Sequence, residues 1–312
     1  MINKTIFKER VSAIISNDLP IMAELYMCVK EQDGHSLRRI QLKDITEREF
    51  SVAFSALLNR YVEDEVEIKS MDDIEDNQKI LYTITQTDDY CPFSFLENCQ
   101  VENYDSRQQV TIIGYFIKLG TADNFVYLFQ ARNNTFSINN DKTFLIKKVR
   151  DVFVRVEEEF LRIEKRIDII IMDKEIISEK TSILERSFGL ERYIRKTARN
   201  TIGKISTLNI VSDTEVFFRY ETKLRNSKKL MKIKNSPVFG MTKERIIERI
   251  GQIERYKKSI VVEDNMIVIK TQKDVDNVLK LLGDAILKSE LTDEEYETMV
   301  KKKLEPIAIE SV

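Results

Sequence analysis

The sequence predicts an α+β protein with a β-rich N-terminal domain and a helix-rich C-terminal domain that carries a β-hairpin. The first observation is a series of short apolar runs separated by turn-forming sequences such as GTADN (120–124) and NNTFSINND (133–141). The second is the longer stretches with helical periodicity that follow residue 180. The third is the composition: 33% charged residues and only 8 Gly and 4 Pro in 312 residues are typical of a regular globular protein.

The N-terminal half begins with a predicted helix over 5–16 and a strand pair over 21–30 and 36–42 around the EQDGH turn. A longer amphipathic helix is predicted over 44–61, with Asp44 or Thr46 as its cap. Its apolar side chains recur at helical spacing and share one face: Phe50, Phe54, Leu57, Leu58 and Tyr61.

The strands that follow are short and separated by turns. Strands are predicted over 79–85, 110–119, 124–132 and 143–149, and the turns between the last three favour an antiparallel meander. A further hairpin, 166–172 and 175–180, turns at Asp173–Lys174. The sequence predicts two domains, 1–155 and 156–312. The hairpin lies just after this boundary, in a segment (156–182) that could belong to either domain.

The C-terminal half is predicted to contain three helices over 183–208, 214–232 and 242–258. A strand pair, 259–263 and 266–270, turns at Asp264–Asn265, and a helix follows over 274–284. The remainder, 286–304, predicts a short extended piece and a last helix. Thr292 is its N-cap, and Glu295 completes a capping box three residues later.

Several chemistries lack their signatures in this sequence. Cys28, Cys91 and Cys99 form no CxxC pair, which argues against a disulfide framework or a zinc site. The single histidine, His35, lies in DGHSL and is predicted to be a solvated loop residue. No phosphate loop, dinucleotide fingerprint or nucleophile elbow is present. No cofactor is predicted, and a binding protein is favoured over an enzyme.

Charge is distributed unevenly along the chain. Residues 186–258 hold 19 Lys or Arg and 7 Asp or Glu, a local charge of +12, so the rest of the chain carries −14 to give the total of −2. An acidic cluster, EDEVEIKSMDDIED (63–76), contains eight carboxylates and one lysine. A basic field of this size can attract polyanions even though the total charge is slightly negative.

The basic region contains a cationic ridge at helical spacing. Arg192, Arg195, Lys196 and Arg199 follow the i, i+3, i+4, i+7 pattern and share one helix face, opposite Ile194, Ala198, Ile202 and Ile205. Like charges at this spacing repel, and Glu191 is the one nearby acid in the sequence. The next helix adds more lysines. The predicted DNA-binding residues are Arg192, Arg195, Lys196, Arg199, Lys204, Lys223, Lys228, Lys229, Lys232 and Lys234.

Cations spread over several helices suit a row of phosphates, so the hypothesis is sequence-independent binding of duplex DNA. Two alternatives remain open. One is a Mg²⁺-dependent nuclease, since Asp168 lies in a strand and Glu175, Glu179 and Lys180 lie in the next. However, adjacent Glu179 and Lys180 point to opposite faces of a strand, and Ile177 occupies the position where that motif needs lysine. The other alternative is a protein–protein interaction subunit that makes no nucleic-acid contact.

Four segments carry a resemblance to a known family: YFIKLG (115–120) with the NFVYLFQ strand after it, FLRIEKRIDIII (160–171), SILERSFGLERYI (182–194) and IVIKTQKDVDNVLKLLGDAILKSELTDEEYE (267–297). They resemble the KwaB family, the B component of the Kiwa antiphage-defence system. The resemblance implies a cytoplasmic DNA-binding effector that forms a homodimer and works with KwaA, a membrane protein that senses infection. It supplies no DNA-contact residues, which come from the charge pattern alone.

No apolar run approaches the roughly 18–20 residues that a membrane-spanning helix needs. The N-terminus also lacks the continuous apolar core of a signal peptide. The sequence therefore predicts a cytoplasmic protein, with any peripheral attachment to the inner membrane made through a partner.

Overall fold

The computed structural model describes residues 3–16, 20–32, 34–64, 67–70, 80–98, 102–103, 111–132, 146–149, 152–155, 161–288 and 295–297. Contacts within the chain divide these residues into two compact units, 3–188 and 189–297. The first contains a large mixed sheet and the second is mostly helical, which confirms the α+β class. The predicted domains 1–155 and 156–312 remain a prediction.

The first four predicted elements are confirmed. They are α1 (Lys4–Ile15), β1 (Met22–Glu31), β2 (Gly34–Ile40) and α2 (Asp44–Glu63), and β1 pairs with β2 in antiparallel register. The predicted cap of α2 was wrong, because the N-cap is Lys43, whose side chain makes no capping hydrogen bond. Asp44 lies within the first turn, where its carboxylate compensates the helix dipole.

The remaining elements of the first unit are mostly short strands. In chain order they are β3 (Glu67–Ser70), β4 (Ile80–Thr85), α3 (Phe95–Asn98), β5 (Glu102–Asn103), β6 (Thr111–Gly120), β7 (Phe125–Ala131), β8 (Ile146–Val149), β9 (Val152–Arg155), β10 (Ile169–Met172), β11 (Glu175–Ser178) and α4 (Thr181–Ser187). The acidic segment 63–76 contributes β3, and its residues 71–76 lie outside the described part of the chain.

Nine strands of the described residues form one sheet in the order β3-β4-β11-β10-β7-β6-β1-β2-β5. The two edge strands pair in parallel, β3 with β4 and β5 with β2, and all other neighbours are antiparallel. The predicted hairpins β6–β7 and β10–β11 are therefore confirmed. The third strand of the predicted meander, β8, instead pairs with β9 in a separate ribbon.

One face of this sheet holds the main core of the first unit. Alternate residues of the central strands, such as Leu25, Ile117, Leu128 and Ile170, are almost fully buried, as the two-residue period of a strand requires. Helices α1 and α2 cover this face. The predicted apolar side of α2 is confirmed: Phe54 and Leu58 are buried and Phe50, Leu57 and Tyr61 pack around them.

The other face carries an aromatic cluster, which includes Phe93, Phe116, Phe129 and Phe188 at ring-centroid distances of 4.7–6.0 Å. His35 joins this cluster, with its ring 5.2 Å from that of Phe188. The prediction of a solvated loop histidine was therefore wrong, because β2 includes His35 and turns it toward the rings. Burial, together with the nearby charge of Lys30, lowers the pKa of His35.

The second unit is a helical bundle with a short hairpin. Its elements are α5 (Leu190–Leu208), α6 (Glu215–Glu221), α7 (Leu224–Lys232), a 3-10 turn at Pro237–Gly240, α8 (Lys243–Gln252), α9 (Glu254–Ser259), β12 (Val261–Glu263), β13 (Met266–Val268), α10 (Gln272–Leu282), β14 (Ile286–Lys288) and β15 (Glu295–Glu297). The predicted β12–β13 hairpin is confirmed, with Asp264 and Asn265 in the left-handed conformation at its turn.

Each of the three long predicted helices is in fact two helices. Gly189, at φ 72°, separates α4 from α5. Extended backbone at Lys223 separates α6 from α7, and extended backbone at Ile253 separates α8 from α9. At the α6–α7 break, the Asn226 amide donates to the carbonyl of Tyr220 at 2.8 Å and so satisfies a helix-end acceptor. Periodicity alone did not reveal these breaks.

The predicted last helix was also wrong over 295–297, which forms β15 and pairs with β14. Its predicted cap, Thr292, lies outside the described residues. Within the described part of the chain, no helix combines the length and the apolar character needed to cross a membrane.

Gly114 lies where β6 meets β7, and a side chain there has no room. A Cβ atom would overlap the carbonyl oxygen of Gln130 and the ring of Phe129. We expect Gly114→Ala to lower the free energy of unfolding by about 1–3 kcal/mol, the usual cost of overpacking a core. Urea unfolding followed by circular dichroism would measure it.

Gly203 provides a control for this substitution. It lies inside α5 with open space at its Cβ position, and alanine is the better helix former by about 1 kcal/mol. Gly203→Ala should therefore leave stability unchanged or raise it. Equal losses in the two variants would contradict the steric explanation.

Candidate nucleic-acid interface

Helix α5 has the two faces that the sequence predicts. Ile194, Ala198, Ile202 and Ile205 are fully buried in the core of the second unit. Arg192, Lys196, Arg199 and Lys204 are exposed on the other side. The predicted ridge is thus on the surface of α5, with one exception.

The exception is Arg195, which is occupied by contacts within the protein. Its Nε donates to Oε1 of Glu191 at 2.9 Å, and its Nη1 donates to the carbonyl of Thr222 at 3.1 Å. The same nitrogen lies 3.4 Å from the carbonyl of Glu221 and 3.7 Å from Oε1 of that residue. Arg195 therefore fastens α5 to the end of α6.

Glu221 is the acid that sequence analysis missed. Its side chain is only 5% exposed, and its Oε2 lies 3.6 Å from Nε of Arg199. In the sequence Glu191 is the one acid near the ridge, but the fold also brings Glu221 of α6 against α5. Glu221 is 26 residues from Arg195 in sequence, so helical spacing could not reveal the pair. No described residue donates a hydrogen bond to its Oε1.

The lysines of the second predicted helix lie on or beside α7, which packs against α5. Lys228, Lys229, Lys232 and Lys234 are half-buried and Lys223 is exposed. Lys204 reaches across from α5 and donates to the carbonyl of Lys234 at 2.7 Å. The structure therefore brings both groups of predicted residues together on one unit.

Lys229 belongs to a small polar cluster with α10. Its Nζ lies 2.7 Å from Oδ1 of Asp276, which also accepts the hydroxyl of Tyr220 at 2.5 Å. Burial and the neighbouring carboxylate raise the pKa of Tyr220. Burial would raise the pKa of Asp276, but the hydrogen bonds from Lys229 and Tyr220 outweigh it and lower that pKa. Asp276 thus stays ionised and holds Lys229.

Further cations that the sequence analysis left out lie close to these residues. Arg219 and Lys270 line a cavity of about 440 Å³ with Lys223, at the start of α10. Helix α10 begins with a capping box in which Thr271 and Asp274 exchange hydrogen bonds. Only the packing of α6 against α10 shows that Lys270 belongs with the basic helices.

Comparison with known proteins gives two matches. The sequence profile of the family described as "Kiwa protein KwaB-like" matches residues 109–292, more than half of the chain. The chain belongs to this family. A Kiwa protein KwaB from Escherichia coli O55:H7 (strain RM12579 / EPEC) is 22% identical over 209 residues, which are 65% of this chain and 66% of that protein. No solved structure matches the chain significantly.

The match to the KwaB-like family covers parts of both units, from before β6 to beyond β14. It therefore includes the basic helices α5 to α10 as well as four of the nine strands of the large sheet. The resemblance inferred from the sequence is confirmed at the level of the family.

Of the residues of the nuclease hypothesis, Asp168 and Lys180 lie within electrostatic range of each other in this KwaB-like chain, but Glu175 does not join them. The β10–β11 ladder pairs Ile169 with Ser178 and Met172 with Glu175, so Asp168 and Glu175 lie at opposite ends of the hairpin. Asp168 accepts from Arg166 at 2.5 Å and from the Ala131 amide at 2.7 Å. The described residues contain no group of three His, Cys, Asp or Glu side chains suited to hold a metal ion.

Replacing Arg195 tests its role as a structural clamp. Arg195→Ala removes one of the cations beside the buried carboxylate of Glu221 and the Arg195 hydrogen bond to the carbonyl of Thr222, so we expect the free energy of unfolding to fall by about 1–3 kcal/mol. Arg192→Ala, one turn earlier on the exposed face, should change it by less than about 0.5 kcal/mol. Urea unfolding of both variants would decide, and equal effects would contradict the clamp.

The dependence of the free energy of unfolding on pH in the acid range tests whether ionised Asp276 stabilises the fold. The pKa of Asp276 is lower in the folded state than in the unfolded state. The contribution of this carboxylate to the free energy of unfolding is therefore complete above its unfolded pKa, about 4, and is lost as the pH falls through its folded pKa. The stability difference between the wild type and Asp276→Asn should shrink from about pH 6 to about pH 3. Glu263→Gln, in the exposed β12–β13 hairpin, is the control. A difference independent of pH would contradict this assignment.

Proposed function

We propose that this protein acts in Kiwa antiphage defence by binding duplex DNA, without sequence preference, through the basic helices of its second unit. Membership of the KwaB-like family supports the defence role. The observation that carries the DNA-binding proposal is the exposed row of cations on α5, with the lysines of α7 beside it.

The geometry of α5 suits a phosphate backbone. Arg192, Arg199 and Lys204 are exposed, and twelve residues of helix extend roughly 18 Å at 1.5 Å per residue. That length is about five base-pair steps of 3.4 Å. Several phosphates of one duplex can therefore contact the row at once, and none of these contacts depends on the base sequence.

The ten predicted residues have three roles under this proposal. Arg192, Lys196, Arg199 and Lys204 contact phosphates directly from α5, and the α7 lysines extend the positive field. Arg195 and Lys229 hold the helices in place through Glu221 and Asp276. A flat, helix-borne cationic surface gains affinity from charge, so binding should weaken steeply as salt rises.

The proposal includes partners and location. The protein is proposed to form a homodimer, to reside in the cytoplasm and to attach peripherally to the inner membrane through a KwaA-like membrane protein. These points rest on what family membership implies. No cofactor and no catalytic step are proposed.

A charge-matched pair of variants tests the DNA-binding surface. The triple variant Arg192→Gln, Arg199→Gln, Lys204→Gln should bind a random-sequence duplex more weakly, and the slope of log affinity against log salt should fall by about 2–3 units. Arg245→Gln, Lys257→Gln, Lys258→Gln removes the same charge from α8 and α9 and should have a smaller effect. Fluorescence anisotropy at several salt concentrations gives both values.

The same titration separates the alternatives. Equal losses in the two triple variants would mean that only total charge matters and that α5 is not the binding surface. No binding by the wild type at low salt would favour a protein-interaction subunit. Loss of the duplex in Mg²⁺, abolished by Asp168→Ala, would instead support the nuclease.

A further inference from the structure

A cavity of about 480 Å³ lies between α7 and α10. Lys229 and Lys232 line it from α7, and Lys273 and Lys280 line it from α10. Its volume falls within the range of small-molecule sites in proteins, which is roughly 300–1,000 Å³. The cavity is thus concave and bounded on two sides by lysines, unlike the open row of cations on α5.

The cavity carries more positive charge than its own carboxylate can balance. The one acid in its lining is Asp276, and that carboxylate is bound by Lys229 and by the hydroxyl of Tyr220. No described carboxylate forms an ion pair with Lys232 or Lys273. Lys232 and Lys273 thus add positive charge to a small volume whose one carboxylate is already bound, and the positive potential is concentrated there.

The chemistry of the lining indicates the class of ligand. Each lysine supplies three donors and no acceptor, as an anion with many oxygens requires. The lining contains no aromatic side chain on which a base could stack, and Leu279 is its one apolar residue. Asn277 is already engaged, since its amide donates to the carbonyl of Ser259 at 2.9 Å.

We propose that this cavity is a binding site for a chain of two or more linked phosphates. The ligand is a free inorganic polyphosphate or the phosphate chain of a nucleoside triphosphate, which share this chemistry. Successive phosphates of a DNA strand are separated by sugars, whereas linked phosphates place several charges in a volume that four lysines can surround. Lys273 and Lys280 lie outside the ten predicted DNA-binding residues, so the site goes beyond the proposed function.

Calorimetric titration of the full chain at low ionic strength tests the site. Inorganic tripolyphosphate should bind with one-to-one stoichiometry, and orthophosphate should bind much more weakly. The variant Lys232→Gln, Lys273→Gln should weaken tripolyphosphate binding at least about tenfold, since each lost charge-assisted contact accounts for about that factor. Lys257→Gln, Lys258→Gln removes the same charge from α9 and should leave the affinity within about twofold.

A separate arm distinguishes the two sources. Equal affinity for tripolyphosphate and adenosine triphosphate would assign the site to the phosphate chain alone, and tighter binding of the nucleotide would assign it to nucleotides. Should the double variant fold poorly by circular dichroism, Lys273→Gln alone serves, because Lys273 is exposed on α10.

Several results would overturn the proposal. They are no saturable binding of tripolyphosphate by the wild type, equal affinity for orthophosphate, or equal weakening in the α9 control. A double variant that keeps tripolyphosphate binding but loses duplex binding would also overturn it and assign the cavity to DNA. Failure of duplex binding in the wild type, with tripolyphosphate binding intact, would affect the proposed function only.

Discussion

The contact between Arg195 and Glu221 organises the basic surface of this protein. Glu221 is buried at the end of α6, and Arg195 reaches it from α5 while also donating to the last carbonyls of α6. An ionised carboxylate inside a protein is costly unless cations and donors surround it. The pair therefore fixes where α6 ends and how α5 lies beside it, and the exposed cations of α5 take their positions from that arrangement.

A second cluster, around Asp276, joins α7 to α10 in the same way. Asp276 accepts from Lys229 and Tyr220 at once, so one carboxylate joins three helices. In both clusters a carboxylate binds a cation of a basic helix and so ties that helix into the fold, and on α5 Arg199 also lies 3.6 Å from Glu221. The same basic segment thus supplies cations that stabilise the fold and others that are exposed at the surface. Tertiary contacts are needed to distinguish the structural cations from the exposed ones, because both follow the same helical spacing in the sequence.

The two units differ in their apolar cores and in their surface charge. The first buries strongly apolar strands on both faces of a sheet, one face against α1 and α2 and the other beneath an aromatic cluster. The second has an apolar core of its own and a surface rich in Lys and Arg. Its fold is consistent with a surface on which like charges are held close together, as a polyanion requires.

The sequence by itself determined the fold class, most of the strands, the amphipathic faces of α2 and α5, and the family. These features follow from local periodicity and turn chemistry: Asp264–Asn265 turns a hairpin whatever surrounds it, and Ile194, Ala198, Ile202 and Ile205 share a face of any helix. Only the tertiary structure shows that Arg195 contacts Glu221 and that Lys229 contacts Asp276. It also shows that Lys273 and Lys280 face the lysines of α7. In the structure, six helices occupy the three ranges predicted as single helices, and residues 295–297 form a strand. The physical reason is that burial, ion pairing and helix ends depend on residues distant in sequence, which spacing along one helix does not reveal.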